Sequence, residues 1–206
     1  TVVKIETENG IVGWGEAQSP VSPNTTATII KDIVEPLTIG KDIYDVESIW
    51  HNNYSSKRER GHYTGFYIDA ICGVDIAIWD AIGKSLNMPT CKAMGGAHRK
   101  SVALYNGIGG TEPEEVADQA EWSVSKGYKF VKMHLKENLE KDIEIARKVR
   151  ERVGDSIGIM IDVHMGFDTF NVIKLGKELE KLNLLWIESP SDPTDIPGLC
   201  EISRSL

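Results

Sequence analysis

Five ionisable residues stand where three short apolar runs end: Lys132 and His134 in "KFVKMHLK", Asp162 and His164 in "SIGIMIDVHM", and Glu188 in "LLWIESP". Read as strands, with alternate side chains on opposite faces, the runs separate by parity. Val131, Met133 and Leu135 oppose Phe130, Lys132 and His134. Ile157, Ile159, Ile161 and Val163 oppose Gly158, Met160, Asp162 and His164, while Leu185 and Ile187 oppose Leu184, Trp186 and Glu188. In each run the polar groups fall at the C-terminal end of a single face. Burying a carboxylate beside an imidazole is unfavourable unless something pairs with them. Two carboxylates on adjacent strands predict a hard divalent cation, Mg²⁺, held by oxygens with room for water and substrate. The histidines leave Mn²⁺, Fe²⁺ or Zn²⁺ open, although no HxH or HExxH pattern favours zinc. Lys132, His134 and His164 are candidate acids and bases. The alternative is a buried salt-bridge cluster in which Lys132 pairs the carboxylates, an arrangement that is costly and only weakly stabilising.

The elements that must position these groups alternate evenly. From Ser101, "VALYNG" reads as a strand, and Thr111 with Glu114 forms a capping box for a helix through about Lys126, ended by Gly127. Asn138 caps a helix that stops at Gly154; Asp168 or Thr169 starts another, to about Leu182; a fourth begins near Ile196. His134 and Asp162 are 28 residues apart, and Asp162 and Glu188 are 26 apart. Such spacing implies parallel βα units, in either a doubly wound sheet or a (β/α)₈ barrel. No GxGxxG opens a helix, which weakens the dinucleotide-binding version. In a barrel, the ends of the strands face inward at the mouth, where active sites lie.

The first hundred residues differ. Residues 2–16 read as a β-hairpin with a type I′ turn at Asn9-Gly10. A Gly/Ser/Pro-rich loop, "GWGEAQSPVSPN", leads to helices over 24–36, 44–56 and 66–84. In the last, Ile71, Val74, Ile78 and Ile82 recur at helical spacing, and Cys72, Ile76 and Trp79 widen the stripe. One hairpin followed by helices makes an α+β layer, so the expected domains are 1–99 and 100–206. Lys57-Arg58-Glu59-Arg60 is the one basic cluster, either a solvated loop or a local site for a substrate carboxylate.

The chain has 206 residues, 41% hydrophobic and 26% charged, with a net charge of −8. That charge argues against a nucleic-acid partner or an anionic membrane surface. Three scattered cysteines without a CxxC fit free thiols in a reducing, cytoplasmic compartment. No signal peptide is evident, and no apolar run is long enough to span a bilayer. Both ends read as cut: the chain starts in strand-like sequence and stops inside a helix.

Taken together, these motifs resemble the enolase superfamily, and within it the mandelate racemase/muconate-lactonizing group. "GWGEA" (13–17) is similar to the end of that family's N-terminal hairpin, before a mobile loop over the active site. "DIAIWDAIGKSLNMPTCKAMGG" (75–96) is similar to its capping-domain signature. "VKMH" (131–134) looks like the second barrel strand, "IDVH" (161–164) the strand with the first metal carboxylate, and "WIESP" (186–190) the strand with the second. The resemblance implies an α+β capping domain whose first strand is missing, followed by strands 1–4 of a (β/α)₈ barrel. It implies Asp162 and Glu188 as ligands of Mg²⁺ (with Mn²⁺ possible), a base that removes the proton α to a substrate carboxylate, and stabilisation of the enediolate by the metal and nearby cations. It also implies a homo-oligomer at full length. Lys132-x-His134 departs from the common Lys-x-Lys pair, so His134 becomes a candidate base, and Glu-Ser-Pro replaces Glu-Glu-Pro. Asp162-x-His164 is similar to acid-sugar dehydratases of the galactonate and mannonate type, in which the histidine protonates a departing hydroxyl. The reading is therefore a fragment of a sugar-acid dehydratase acting on a small carboxylic acid. It is expected to bind metal weakly and to lack full activity alone, because a third carboxylate and a later-strand base lie outside the chain. Racemisation, epimerisation and cycloisomerisation remain alternatives within the family. Outside it stand a Schiff-base aldolase using Lys132, a non-catalytic sugar-acid-binding relative, and a half barrel that self-associates through its open edges. Arg58, Arg60, His62 and Tyr63, with Tyr54, are the substrate-binding candidates, in loops near 17–26 and 52–65.

Overall fold

The computed structural model describes residues 1–135 and 138–206, which divide into two units, Thr1–Lys100 and Ser101–Leu206. In the first, β1 (Val2–Glu6) pairs antiparallel with β2 (Val12–Glu16), Glu6 opposite Val12. The connection is not the two-residue type I′ turn. That turn needs positive φ at both central residues, and Gly10 has it (φ +82°) while Asn9 does not. Instead Gly10 N–H donates to Thr7 O at 2.8 Å and Thr7 N–H to Ile11 O at 3.0 Å, closing a longer loop with Gly10 at its left-handed step.

The helix expected over 24–36 is interrupted. Helix α1 (Pro23–Ile29) passes into a π-helical turn at Ile30–Val34 and then α2 (Glu35–Thr38). Pro36 has no N–H to give to the preceding turn, so the α-helical ladder cannot run straight through it. A 3₁₀ turn at Ile43–Asp45 precedes α3 (Val46–Ser56), and α4 runs Phe66–Ser85, followed by the short α5 (Thr90–Ala93). Helix α4 is the unit's centre: Ala70, Ile71, Val74, Ala77, Ile78, Ala81 and Ile82 are all buried. The glycines of "GWGEA" let β2 lie directly on it. A Cβ on Gly15 would stand 2.1 Å from Gly73 O and 2.7 Å from Ala77 N.

The second unit alternates β3 (Asn106–Gly109), α6 (Pro113–Ser125), β4 (Phe130–His134), α7 (Leu139–Val153), β5 (Gly158–Asp162), α8 (Thr169–Glu180), β6 (Ile187–Glu188) and α9 (Ile196–Ser205). The sheet is parallel, in the order β3-β4-β5-β6. Strand order follows chain order without the reversal of a doubly wound sheet, so this is the first half of a (β/α)₈ barrel. Val131, Met133, Ile159, Ile161 and Val163 form the covered face, packed with Val116, Ala120, Ile145, Val149, Val172 and Leu175 from the helices. Arg150 ties strand ends to helix ends: its guanidinium donates to the carbonyls of Leu182, Gly154, Ile157 and Asn183 at 2.8–3.2 Å.

Several strand expectations are too long. Only Asn106 onward of "VALYNG" pairs; Val102 and Leu104 are 69% and 67% exposed, because among the described residues β3 has a partner on one side alone. "KFVKMHLK" reduces to Phe130–His134, with Lys136 outside the described residues. "LLWIESP" reduces to Ile187–Glu188, although Leu185 N–H donates to Ile159 O and Ile161 N–H to Trp186 O. "SIGIMIDVHM" is strand only to Asp162. Asn138 and Asp168 cap their helices by accepting from Lys141 N–H and Asn171 N–H, and Gly154 (φ +72°) ends α7. The Thr111–Glu114 capping box does not form. Pro113 begins α6 one residue later than expected, making Glu112 the N-cap, and the Glu114 carboxylate is drawn instead to Lys148 and Arg152 of α7.

Candidate active site

The register of the parallel sheet places four residues in one lateral row at the C-terminal ends of the strands: Gly109 opposite His134, His134 opposite Asp162, and Asp162 opposite Glu188. Lys132 lies one inward-facing step behind the row, opposite Gly107 and Met160. Its ammonium is buried and reaches forward between the carboxylates, 3.0 and 3.1 Å from the two Glu188 oxygens and 3.4 Å from Asp162 Oδ2. The ammonium also stands 5.3 Å from the centre of the Tyr105 ring. Burial opposes the charge on Lys132, but the hydrogen bonds to Glu188 and Tyr105 outweigh it and hold the pKa above the ordinary lysine value.

Asp162 is 4% exposed. Burial raises its pKa, yet the backbone N–H of His164 (3.0 Å from Oδ1), the His164 ring and Lys132 together outweigh that and hold it below the usual carboxylate range. His134 lies 3.7 Å from Asp162 Oδ2 through Nδ1. Its pKa is lowered first by burial and then by the Lys132 charge, against the opposing pull of Asp162, so the ring is neutral at pH 7.

His164 does not reach this group by strand alternation. The chain leaves β5 at Asp162, and His164 and Met165 adopt left-handed backbone (φ +46° and +59°). Ser189, just past β6, does the same at φ +51°, and Met165 N–H donates to Ser189 O at 2.8 Å, so the two turns brace each other. This bend brings the His164 ring back over the row. Its Nε2 is 3.0 Å from His134 Nδ1, the rings stack with centroids 5.1 Å apart, and its Nδ1 is 3.3 Å from Asp162 Oδ1.

Lys132, His134, Asp162, His164 and Glu188 are thus brought together. Arg58, Arg60, His62 and Tyr63 lie on an exposed stretch of the first unit between α3 and α4, Arg58 over the Tyr54 ring at 5.8 Å and the His62 ring 6.2 Å from Tyr67. Two features are invisible in the charged residues alone. Tyr105 flanks Lys132, and Gly107 and Gly109 make room for His134: a Cβ on Gly107 would stand 3.3 Å from His134 Nε2, and one on Gly109 would stand 3.2 Å from His134 O. The signal was available, since Tyr105, Gly107 and Gly109 share the parity that separates the other three runs.

As a donor set for a hard cation, Asp162 and Glu188 offer carboxylate oxygens from adjacent, directly paired positions, and a positive group already sits between them in the form of the Lys132 ammonium. The residues therefore fit Mg²⁺, which prefers such oxygens and keeps water in its remaining positions.

Residues 1–95 match the family pattern described as mandelate racemase / muconate lactonizing enzyme, N-terminal domain, and residues 115–206 match enolase C-terminal domain-like. The chain is 31% identical to an N-succinyl-L-Arg/Lys racemase of Bacillus cereus, over 98% of this chain and 54% of the relative. It is 31% identical to an arabinonate dehydratase of Saccharolobus solfataricus (91% and 51%) and 33% identical to an L-talarate/galactarate dehydratase of Salmonella typhimurium (85% and 44%). The crystal structure of the 3,6-anhydro-D-galactonate cycloisomerase from Zobellia galactanivorans superposes with a TM-score of 0.92 at 27% identity, covering 99% of this chain and 57% of that one. The chain spans about half the length of the curated relatives it matches.

Proposed function

Because the chain belongs to the mandelate racemase/muconate lactonizing group of the enolase superfamily, we propose that it carries the first half of a metal-dependent site that removes the proton α to a carboxylate and, in the full-length protein, dehydrates a sugar acid to a 2-keto-3-deoxy acid. Asp162 and Glu188 would hold Mg²⁺, which when bound would supply positive charge against the substrate carboxylate as the proton leaves. Lys132 keeps its positive charge beside that carboxylate. His134, neutral at pH 7, accepts the α-proton. The electron pair left on C2 forms the C2–C3 double bond, the C3–O bond breaks, and His164 gives a proton to the departing hydroxyl, which leaves as water. The resulting enol tautomerises to the ketone.

The observation that carries this reading is the 3.0 Å contact between His134 Nδ1 and His164 Nε2. It supports a reading in which one ring accepts a proton and the other gives one, and a proton taken by one ring can pass to the other. Relatives that are dehydratases support the choice of reaction. Relatives that are a racemase and a cycloisomerase favour a second reading, in which the same α-proton is removed without loss of water. The full-length protein incubated with aldonic and aldaric acids in D₂O separates them. Dehydration yields 2-keto-3-deoxy products, and His164→Asn abolishes these while α-deuterium exchange persists. Exchange in the parent protein with no keto product from any such acid overturns the dehydratase reading. The localisation, any oligomer, and the substrate contacts of Arg58, Arg60, His62 and Tyr63 are proposals on the same footing. Among the described residues no helix is long and apolar enough to cross a membrane.

A further inference from the structure

The reading above uses carboxylate oxygens for the cation and leaves both imidazoles as proton carriers, yet the same residues gather a second donor set. One ligand atom from each of His134, Asp162 and His164 falls within 4.8 Å of the other two. His134 Nδ1 is 3.0 Å from His164 Nε2 and 3.7 Å from Asp162 Oδ2. Around a four-coordinate Zn²⁺ with bonds of about 2.0–2.1 Å, neighbouring ligand atoms stand about 3.3 Å apart, and the two observed separations bracket that spacing. Two imidazole nitrogens and one carboxylate oxygen form a borderline donor set, which favours Zn²⁺ and Co²⁺ over Mg²⁺.

The support around the set suits a metal. The His164 backbone N–H holds Asp162 Oδ1 at 3.0 Å and so fixes the carboxylate's orientation, the role outer hydrogen bonds play at metal centres. The competing cation, Lys132, is closer to Glu188 (3.0 and 3.1 Å) than to Asp162 Oδ2 (3.4 Å). Both imidazoles are partly exposed, at 39% and 46% of their side-chain surface, which leaves a path from solvent and a fourth position for water. We propose that His134, His164 and Asp162 form a three-ligand site for a borderline divalent ion of the Zn²⁺ class, sharing Asp162 with the Mg²⁺ position. The inference concerns binding by these three side chains and holds or fails independently of the reaction proposed above.

The test titrates the metal-free chain, with the exposed Cys91 and Cys200 changed to serine so that their thiols cannot contribute. Co²⁺ is followed by visible absorption and Zn²⁺ by calorimetry. The expected result is the intense ligand-field spectrum of four-coordinate Co²⁺ and one Zn²⁺ bound per chain. His134→Ala and His164→Ala should each weaken Zn²⁺ binding at least about tenfold, since even outer-shell partners of metal ligands contribute that much. Circular dichroism and metal-free melting curves check that the variants fold, and His134→Gln and His164→Gln replace any alanine variant that does not melt cooperatively. Six-coordinate Co²⁺, or unchanged Zn²⁺ affinity in a folded His134 or His164 variant, overturns the proposal.

Discussion

Replacing Lys132 by methionine tests the electrostatics of the row directly, because methionine keeps much of the volume and removes the charge. The ammonium is the charged partner of Asp162, which is 4% exposed, at 3.4 Å. Removing one member of a fully buried ion pair costs about 3–5 kcal/mol. Here the cost is lower. Asp162 keeps the His164 backbone N–H at 3.0 Å, and Glu188, with 41% of its side-chain surface exposed, can rehydrate. We expect a loss of about 2 kcal/mol at pH 7 and a rise in the Asp162 pKa. For a unit of this size that corresponds to a fall of about 8 °C in Tm.

The pH dependence fixes the sign. In the parent the folded-state pKa of Asp162 lies below its ordinary value of 3.8, so its contribution is fully present above that value and is lost as pH falls through the folded pKa. In the variant the folded pKa is higher, so the carboxylate protonates earlier and its burial is relieved sooner. The stability gap between parent and variant should therefore be full at pH 7 and shrink as pH falls toward the ordinary carboxylate value of 3.8. Scanning calorimetry in EDTA over this range measures the gap, and in an Asp162→Asn background most of the pH dependence should vanish. A gap that stays constant or widens on acidification would refute the reasoning, as would a variant more stable than the parent at pH 7.

Three further substitutions probe what positions the row and its neighbouring unit. Gly15→Ala drives a Cβ to 2.1 Å from Gly73 O, so β2 must move off α4; melting of the first unit should show a loss of about 3 kcal/mol. Arg150→Met strips a donor from four carbonyls, three of them at strand or loop ends, and should destabilise the second unit by about 3 kcal/mol in urea titrations, with Arg150→Lys restoring only part. Asn138→Ala removes the cap of α7 and should cost about 1 kcal/mol by the same measurement, and Asn138→Asp should restore it.

The site was legible because parity survives in short strands. Lys132, His134, Asp162 and Glu188 occupy the face that alternation assigned them, and the sheet's register merely aligned them. His164 joins the group for a reason alternation does not contain. A left-handed bend has no side-chain signature when it falls on His-Met rather than glycine, so the positive φ there could not be read from residue type. Strand lengths were overread for a related reason. Val102 and Leu104 are apolar and strand-like, but pairing depends on a neighbour and the described sheet supplies none there, while Leu185 and Trp186 keep only isolated bonds to Ile159 and Ile161 of β5. The Thr111 capping box failed through competition: Lys148 and Arg152 on α7 draw the Glu114 carboxylate more strongly than a lone backbone N–H would. Pro36 interrupting a helix, by contrast, is written in the sequence.

The left-handed backbone at His164, Met165 and Ser189 also bears on how this chain responds to selection. Such a conformation costs a residue with a side chain of order 1 kcal/mol relative to glycine. A mutant library sorted for heat tolerance alone should therefore drift toward glycine or asparagine at these three positions, and in doing so would discard the imidazole at 164. On the proton-carrying role proposed for His164, endurance and chemistry would pull in opposite directions at this bend.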